Sequence, residues 1–144
     1  MALRVKRPKQ FDDLIDLLRD KDLGVFPYLK SVITFAAAIG FKHGVKEPVG
    51  ETSEPINWTL FTEHEEQALA YAIALADTGD TAVFREDHLP QTISIFEEYA
   101  CGGLAILQDK IDQANVMASI ESILSEHENL EDSNEVGTLL DDFN

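Results

Sequence analysis

Three kinds of residue in this chain have the types that could do chemistry: four histidines, one cysteine, and a pair of carboxylates set in an apolar run. The histidines are His43, His64, His88 and His127. A zinc hydrolase would place two of them on one helical face as HExxH, and no pair has that spacing. His64-Glu65-Glu66 falls where a helix begins, and acids are expected there because they complement the positive end of the helix dipole. A metal held by His64 would need carboxylates from elsewhere in the fold, so the sequence assigns no metal ligands. Cys101 has neither a CxxC partner nor a cationic sequence neighbour to lower its pKa. It reads as a small buried helix residue. Glu97 and Glu98 are adjacent, which sets them about 100° apart on a helix. They cannot face one another as acid and base, and both read as solvated surface residues. Trp58, Tyr71 and Tyr99 could line a ligand pocket, but burial against the helices is the preferred reading of these aromatic residues. An alternative for Gly102-Gly103 is a helix break that exposes backbone N–H groups to an anion, but no GxxxxGK[ST] and no preceding strand accompany it. The expectation is a protein that is not an enzyme, with no catalytic residues and no cofactor.

The elements that would position these residues are mostly helical. Phe11, Leu14, Ile15, Leu17 and Leu18 recur at helical spacing, which predicts a helix over about residues 9–21. A second helix is expected from Val25 to Phe41, with Pro27 in its first turn. Its AAAIG segment is small on nearly every face. Residues 42–56 hold two glycines and two prolines and read as a loop with a mobile tip. Thr62 to Glu65 matches a capping box, and a helix follows that ends at Thr78-Gly79-Asp80. Asp87 is a candidate cap for a further helix with Pro90 in its first turn. That helix carries Phe96, Ala100, Gly103, Leu104 and Leu107 on one stripe. Glycine inside a helix costs about 1 kcal/mol relative to alanine, so its place on the apolar stripe needs a reason. Close approach of a second backbone supplies one, and Ala37, Gly40, Gly102 and Gly103 are the candidates for that contact. Residues 112–127 form another amphipathic segment, either separate or continuous with the helix before it. The fold class is therefore mostly α, a compact bundle of four to five helices. It leaves room for one short two-stranded β element, for which residues 56–61 and 81–85 are the candidate strands. One helical domain is expected over residues 1–125, with a basic N-terminal arm at 1–9, and it is followed by a flexible acidic tail at 126–144.

Charge narrows the function class. The net charge is −16. Residues 1–50 carry nine Lys/Arg against six Asp/Glu, while residues 51–144 carry two against twenty-one. Non-specific nucleic-acid binding needs clustered cations, and only Arg4, Lys6, Arg7 and Lys9 provide a cluster. These four are the candidate nucleic-acid contacts. No apolar run reaches the roughly 18 residues that span a bilayer, and the N-terminus lacks a signal-peptide core. Neither the membrane nor export is implied, and the expected location is the cytoplasm. Self-association is left open.

Four segments together resemble a known family: RVKRPKQFDDL at residues 4–14, FAAAIGFKHG at 35–44, INWTLF at 56–61 and IFEEYACGGLAIL at 95–107. The strongest marks are Gly40-Phe41-Lys42, and Phe96-Glu97-Glu98-Tyr99-Ala100 followed by Gly102-Gly103-Leu104. They resemble the DNA phosphorothioation-associated protein 4 family, found beside the Dnd genes that install and police sulfur in bacterial DNA. The resemblance covers about residues 4–112. It implies a non-enzymatic accessory of a DNA phosphorothioation modification and restriction system, acting by protein–protein interaction on other proteins of that system. It carries no catalytic residue over to this chain. The alternatives from the residues themselves are a small DNA-binding regulator using the basic arm and an acidic mimic of DNA.

Overall fold

The computed structural model describes residues 3–126. Along the chain the elements are β1 (Arg4–Val5), α1 (Asp12–Leu18), α2 (Leu29–His43), β2 (Ile56–Asn57), α3 (Glu66–Thr78) and α4 (Leu89–Lys110). A last helix, α5, starts at residue 116 and continues to 126. The expected mostly α bundle with one two-stranded element is what the chain forms. The tail expected at 126–144 lies outside the described residues, apart from Glu126 in α5.

The core is one cluster in which Ile15 and Leu18 of α1, Val32 and Ile33 of α2, Ile73 of α3 and Phe96, Leu104 and Leu107 of α4 are almost fully buried. The helix pair α2 and α4 is the centre of it. Ala36 lies against Gly103, Gly40 against Tyr99 and Gly103, and the segment just after α2 against Glu98 to Gly102. The two helices are therefore antiparallel. A methyl carbon on Gly103 would stand 1.7 Å from the Ala36 carbonyl oxygen, and one on Gly40 would stand 2.0 Å from that of Tyr99. Backbone meets backbone there, and only glycine permits it. Gly102 has a different neighbour, the Val45 carbonyl at 2.1 Å from such a carbon. Ala37 is fully buried in the same cluster. Helix α4 runs unbroken through both glycines, so their N–H groups serve the helix and are not turned toward an anion.

Several boundaries differ from the sequence reading. The first helix is shorter than 9–21, because Lys9–Phe11 forms a 3₁₀ turn and the amides of Gly24, Val25 and Phe26 bond back to Asp20 and Leu18. Those bonds fold the chain across the end of α1, and α2 starts only at Leu29, after an extended Tyr28. Pro27 therefore precedes the helix. It ends as its sequence suggests, with Lys42 and His43 in the last turn and Gly44 in the left-handed region at φ 68°. The capping box is displaced by one residue: Glu66 replaces Glu65 in accepting the Thr62 N–H, at 3.1 Å, and also takes its hydroxyl. Asp87 does not cap α4. It lies in a 3₁₀ turn over Glu86–His88, while Pro90 does occupy the first turn of α4. Residues 56–61 and 81–85 do not pair. Ile56 faces Val5 and Asn57 faces Arg4, whereas Thr81–Phe84 is a 3₁₀ turn capped by the Asp80 carboxylate. Helices α4 and α5 are separate. Asp112 and Asn115 accept the amides of Ala114 and Ala118 and turn the chain between them.

Candidate interaction site

The four arm cations do not form one patch. Pairing with β2 fixes β1 as an extended strand, so side chains alternate between faces. Val5 is fully buried, and Arg4 and Lys6 on either side of it are exposed. Lys9 lies 3.6 Å from Glu51 in a solvent-exposed ion pair. Arg7 turns elsewhere, and its Nε donates to the Glu54 carbonyl at 3.0 Å.

Arg7 thereby enters a cleft of about 600 Å³ where the end of α1, the start of α2 and strand β2 meet. Arg19, which closes the last turn of α1, and Lys30, in the first turn of α2, line it too. Tyr28 and Leu60 form part of its wall and are 60% and 59% exposed. The Lys30 ammonium lies 5.6 Å from the centre of the Tyr28 ring. It also pairs with Glu66 at 2.9 Å. Burial alone would raise the Glu66 carboxyl, but the Thr62 hydroxyl and amide and the Lys30 ammonium together hold it down at about 2. Arg19 and Lys30 were not foreseen as site residues. They are isolated cations in sequence, and only the fold of the α1–α2 connection brings them to Arg7.

A second polar group joins α3, α4 and the segment just after α2. Tyr99 donates its hydroxyl to Asp77 at 2.6 Å, and Lys46 pairs with the same carboxylate at 3.1 Å. The Tyr99 hydrogen bond is the largest influence holding Asp77 below the usual carboxylate range. The same bond pushes Tyr99 up to about 12. Phe41 packs edge-on against the Tyr99 ring at 5.5 Å. Trp58 and Tyr71 meet each other at 6.4 Å instead, so the three aromatic residues divide between two clusters.

Glu97 overturns its reading as a solvated residue. It is 6% exposed and accepts the backbone N–H of Lys6. Burial raises its carboxyl above the usual range, against the opposing pull of that amide and the Lys6 charge. No periodicity argument reveals this, because the covering strand is 91 residues away in sequence. Cys101 is buried, with its thiol directed at the Pro48 carbonyl at 3.5 Å, and burial pushes the thiol up. Such a thiol is a poor nucleophile. Among the described residues, no group of three or more His, Cys, Asp or Glu side chains is placed to hold a metal ion. No helix among them is long and apolar enough to cross a membrane.

A family model described as DNA sulphur modification system-associated protein 4 matches residues 4–143. The chain belongs to that family. Membership extends well past residue 112, where the sequence resemblance stopped, and so takes in α5 and the acidic stretch after it. For the DNA sulphur modification system-associated protein 4 family, the cationic cleft, the Asp77–Tyr99–Lys46 group and the buried Glu97 are features of this member's structure. No curated protein and no solved structure matches the chain.

Proposed function

We propose that this protein is a non-enzymatic, cytoplasmic accessory of a DNA sulphur modification and restriction system, and that it works by docking onto another protein of that system. The observation that carries the reading is the family match over residues 4–143, to a family named for its association with a system. The structure supports docking in two ways. Polar groups in the interior, such as Glu66, Asp77 and Tyr99, are used up in ties between helices. The exposed surface, by contrast, presents charge of both signs and large apolar side chains such as Tyr28, Leu60 and Phe84. Such a surface steers a partner by charge and holds it by apolar contact. We also propose that the helices form a single domain to residue 125, with the acidic residues after it contributing to contact with basic partners.

The test is a pull-down of the tagged full chain from its native host, with mass spectrometry of what is retained. Components of a DNA sulphur modification or restriction system are expected. Their absence under conditions that preserve the fold would refute the proposal. A second reading, direct DNA contact, is favoured by the exposure of Arg4 and Lys6 on β1. It requires salt-dependent DNA affinity that is lost when Arg4, Lys6, Arg7 and Lys9 are replaced by alanine.

A further inference from the structure

We infer that the cleft between α1, α2 and β2 is a docking site for a short peptide segment of a partner protein, one that combines carboxylates with large apolar side chains. The inference deepens the docking reading above and rests on it.

The first argument is the placement of uncompensated charge. In a chain of net charge −16, cations are scarce, eleven against twenty-seven acids. Among the described residues, Lys30 is the one of the three cleft cations in an ion pair, with Glu66, and the single acid in the lining, Glu54, is exposed and its carboxylate pairs with none of them. Arg7 is held by a backbone carbonyl through Nε, which leaves the rest of its guanidinium for another acceptor. Arg19 is exposed and forms no ion pair among the described residues. Two guanidinium groups in one concavity suit carboxylates, which they grip through two parallel hydrogen bonds.

The second argument is the apolar part of the wall. Tyr28 and Leu60 expose more than half of their surface there. Tyrosine and arginine together are the residue types that concentrate binding energy at protein interfaces. An inorganic anion would use the arginines and leave this apolar surface wet, whereas a peptide covers both.

The third argument separates peptide from nucleic acid. A duplex presents a long row of phosphates, and affinity for it grows with the number of cations that reach the row. Here Lys9 is engaged with Glu51, and neither it nor Arg4 and Lys6 lines the cleft. Residues 51–144 carry twenty-one acids against two cations, which repels an extended polyanion more strongly than a short acidic segment.

The experiment is fluorescence anisotropy of the full chain with a labelled peptide, Asp-Leu-Asp-Asp-Phe-Leu-Asp, alongside its Asn-for-Asp counterpart and a 20-base-pair duplex. The acidic peptide is expected to bind. Its affinity is expected to fall at least tenfold in Arg19→Glu, at least tenfold in Tyr28→Ala, and at least tenfold for the Asn version. Both protein changes lie on exposed groups, and circular dichroism checks that the variants keep the fold. Amide shifts on peptide addition are expected at Arg19, Tyr28, Lys30 and Leu60. Failure of the acidic peptide to bind, or binding indifferent to Arg19 and Tyr28, overturns the inference. So does Arg19-dependent binding of the duplex with no binding of the peptide, which would give the cleft to nucleic acid. The pull-down from the native host answers separately for the docking reading, since it can recover system proteins whether or not this cleft holds them.

Discussion

Gly103 shows how much one residue can decide. Its missing side chain lets the Ala36 carbonyl approach the α4 backbone, and an added methyl would meet three backbone atoms of Ala36. Backbone cannot rotate away as a side-chain tip can, so Gly103→Ala must push the helices apart. A loss of at least 2–3 kcal/mol is expected, on the order of the largest overpacking effects. Gly44 has its φ at 68° but open space around it, so Gly44→Ala should cost only about 1 kcal/mol. Urea unfolding of the two variants checks the contrast, and equal losses would mean that helix contact is not what Gly103 provides. Glu97 gives the other residue-scale test. Its raised pKa means that the folded chain holds the proton more firmly than the unfolded one. Its contribution to stability is therefore favourable in acid and falls as pH rises from the ordinary 4.5 through the raised value. In Glu97→Gln this fall should vanish while the Lys6 amide keeps an acceptor. Unfolding measured from pH 4 to pH 8 in both proteins would show it. Gly103 was legible in the sequence because it broke an apolar stripe without a local reason. Glu97 was not, because its burial comes from a strand at the other end of the chain.

At the scale of elements, ion pairs fasten α3 to the α2 region at both of its ends. Lys30 meets Glu66 where both helices begin, and Lys46, just past α2, meets Asp77 near the end of α3. The two helices thus run parallel. Glu66 is held at about 2, below its ordinary 4.5. A depressed carboxylate stabilises above its unfolded value and loses that contribution as pH falls through the folded one. The chain should therefore lose stability between about pH 4.5 and pH 2, and Glu66→Gln should flatten that part of the profile while lowering stability at pH 7 by about 1–2 kcal/mol. An unchanged acid limb in the variant would assign the loss to other carboxylates. Helix existence was legible throughout, because the apolar spacing of α2, α3 and α4 is regular over three or more turns. Their starts were less so. Competing local bonds chose them: the Leu18 carbonyl captured Val25 and Phe26, and Glu66 outcompeted Glu65 for Thr62. The strand pairing was half legible. Ile56-Asn57 does extend, but its partner β1 was read as part of an unpaired arm because two residues carry too little pattern to register.

For the molecule as a whole, charge and fold were partly legible from the same rows. The imbalance between the first fifty residues and the rest is plain in the sequence, yet only the structure gathers Arg7, Arg19 and Lys30 around one cleft. In the docking proposed above, a cleft with three cations on an acidic protein keeps the contacts of acidic segments apart from those of basic ones. This makes the salt dependence of association a whole-molecule property, since every such contact weakens as the screening length shortens. The parallel course of α2 and α3 reaches further still. Antiparallel neighbours are joined by a tight turn, but here the chain leaves α2 at one end and must return about 20 Å, the length of thirteen helical residues, before α3 can start. Residues 44–65 make that return journey, and on the way they pass over α4, lie beside β1 and roof the thiol of Cys101. What looks in the sequence like dispensable Gly- and Pro-rich slack is about three times longer than the roughly six extended residues that 20 Å requires, and the surplus is what covers α4, β1 and Cys101.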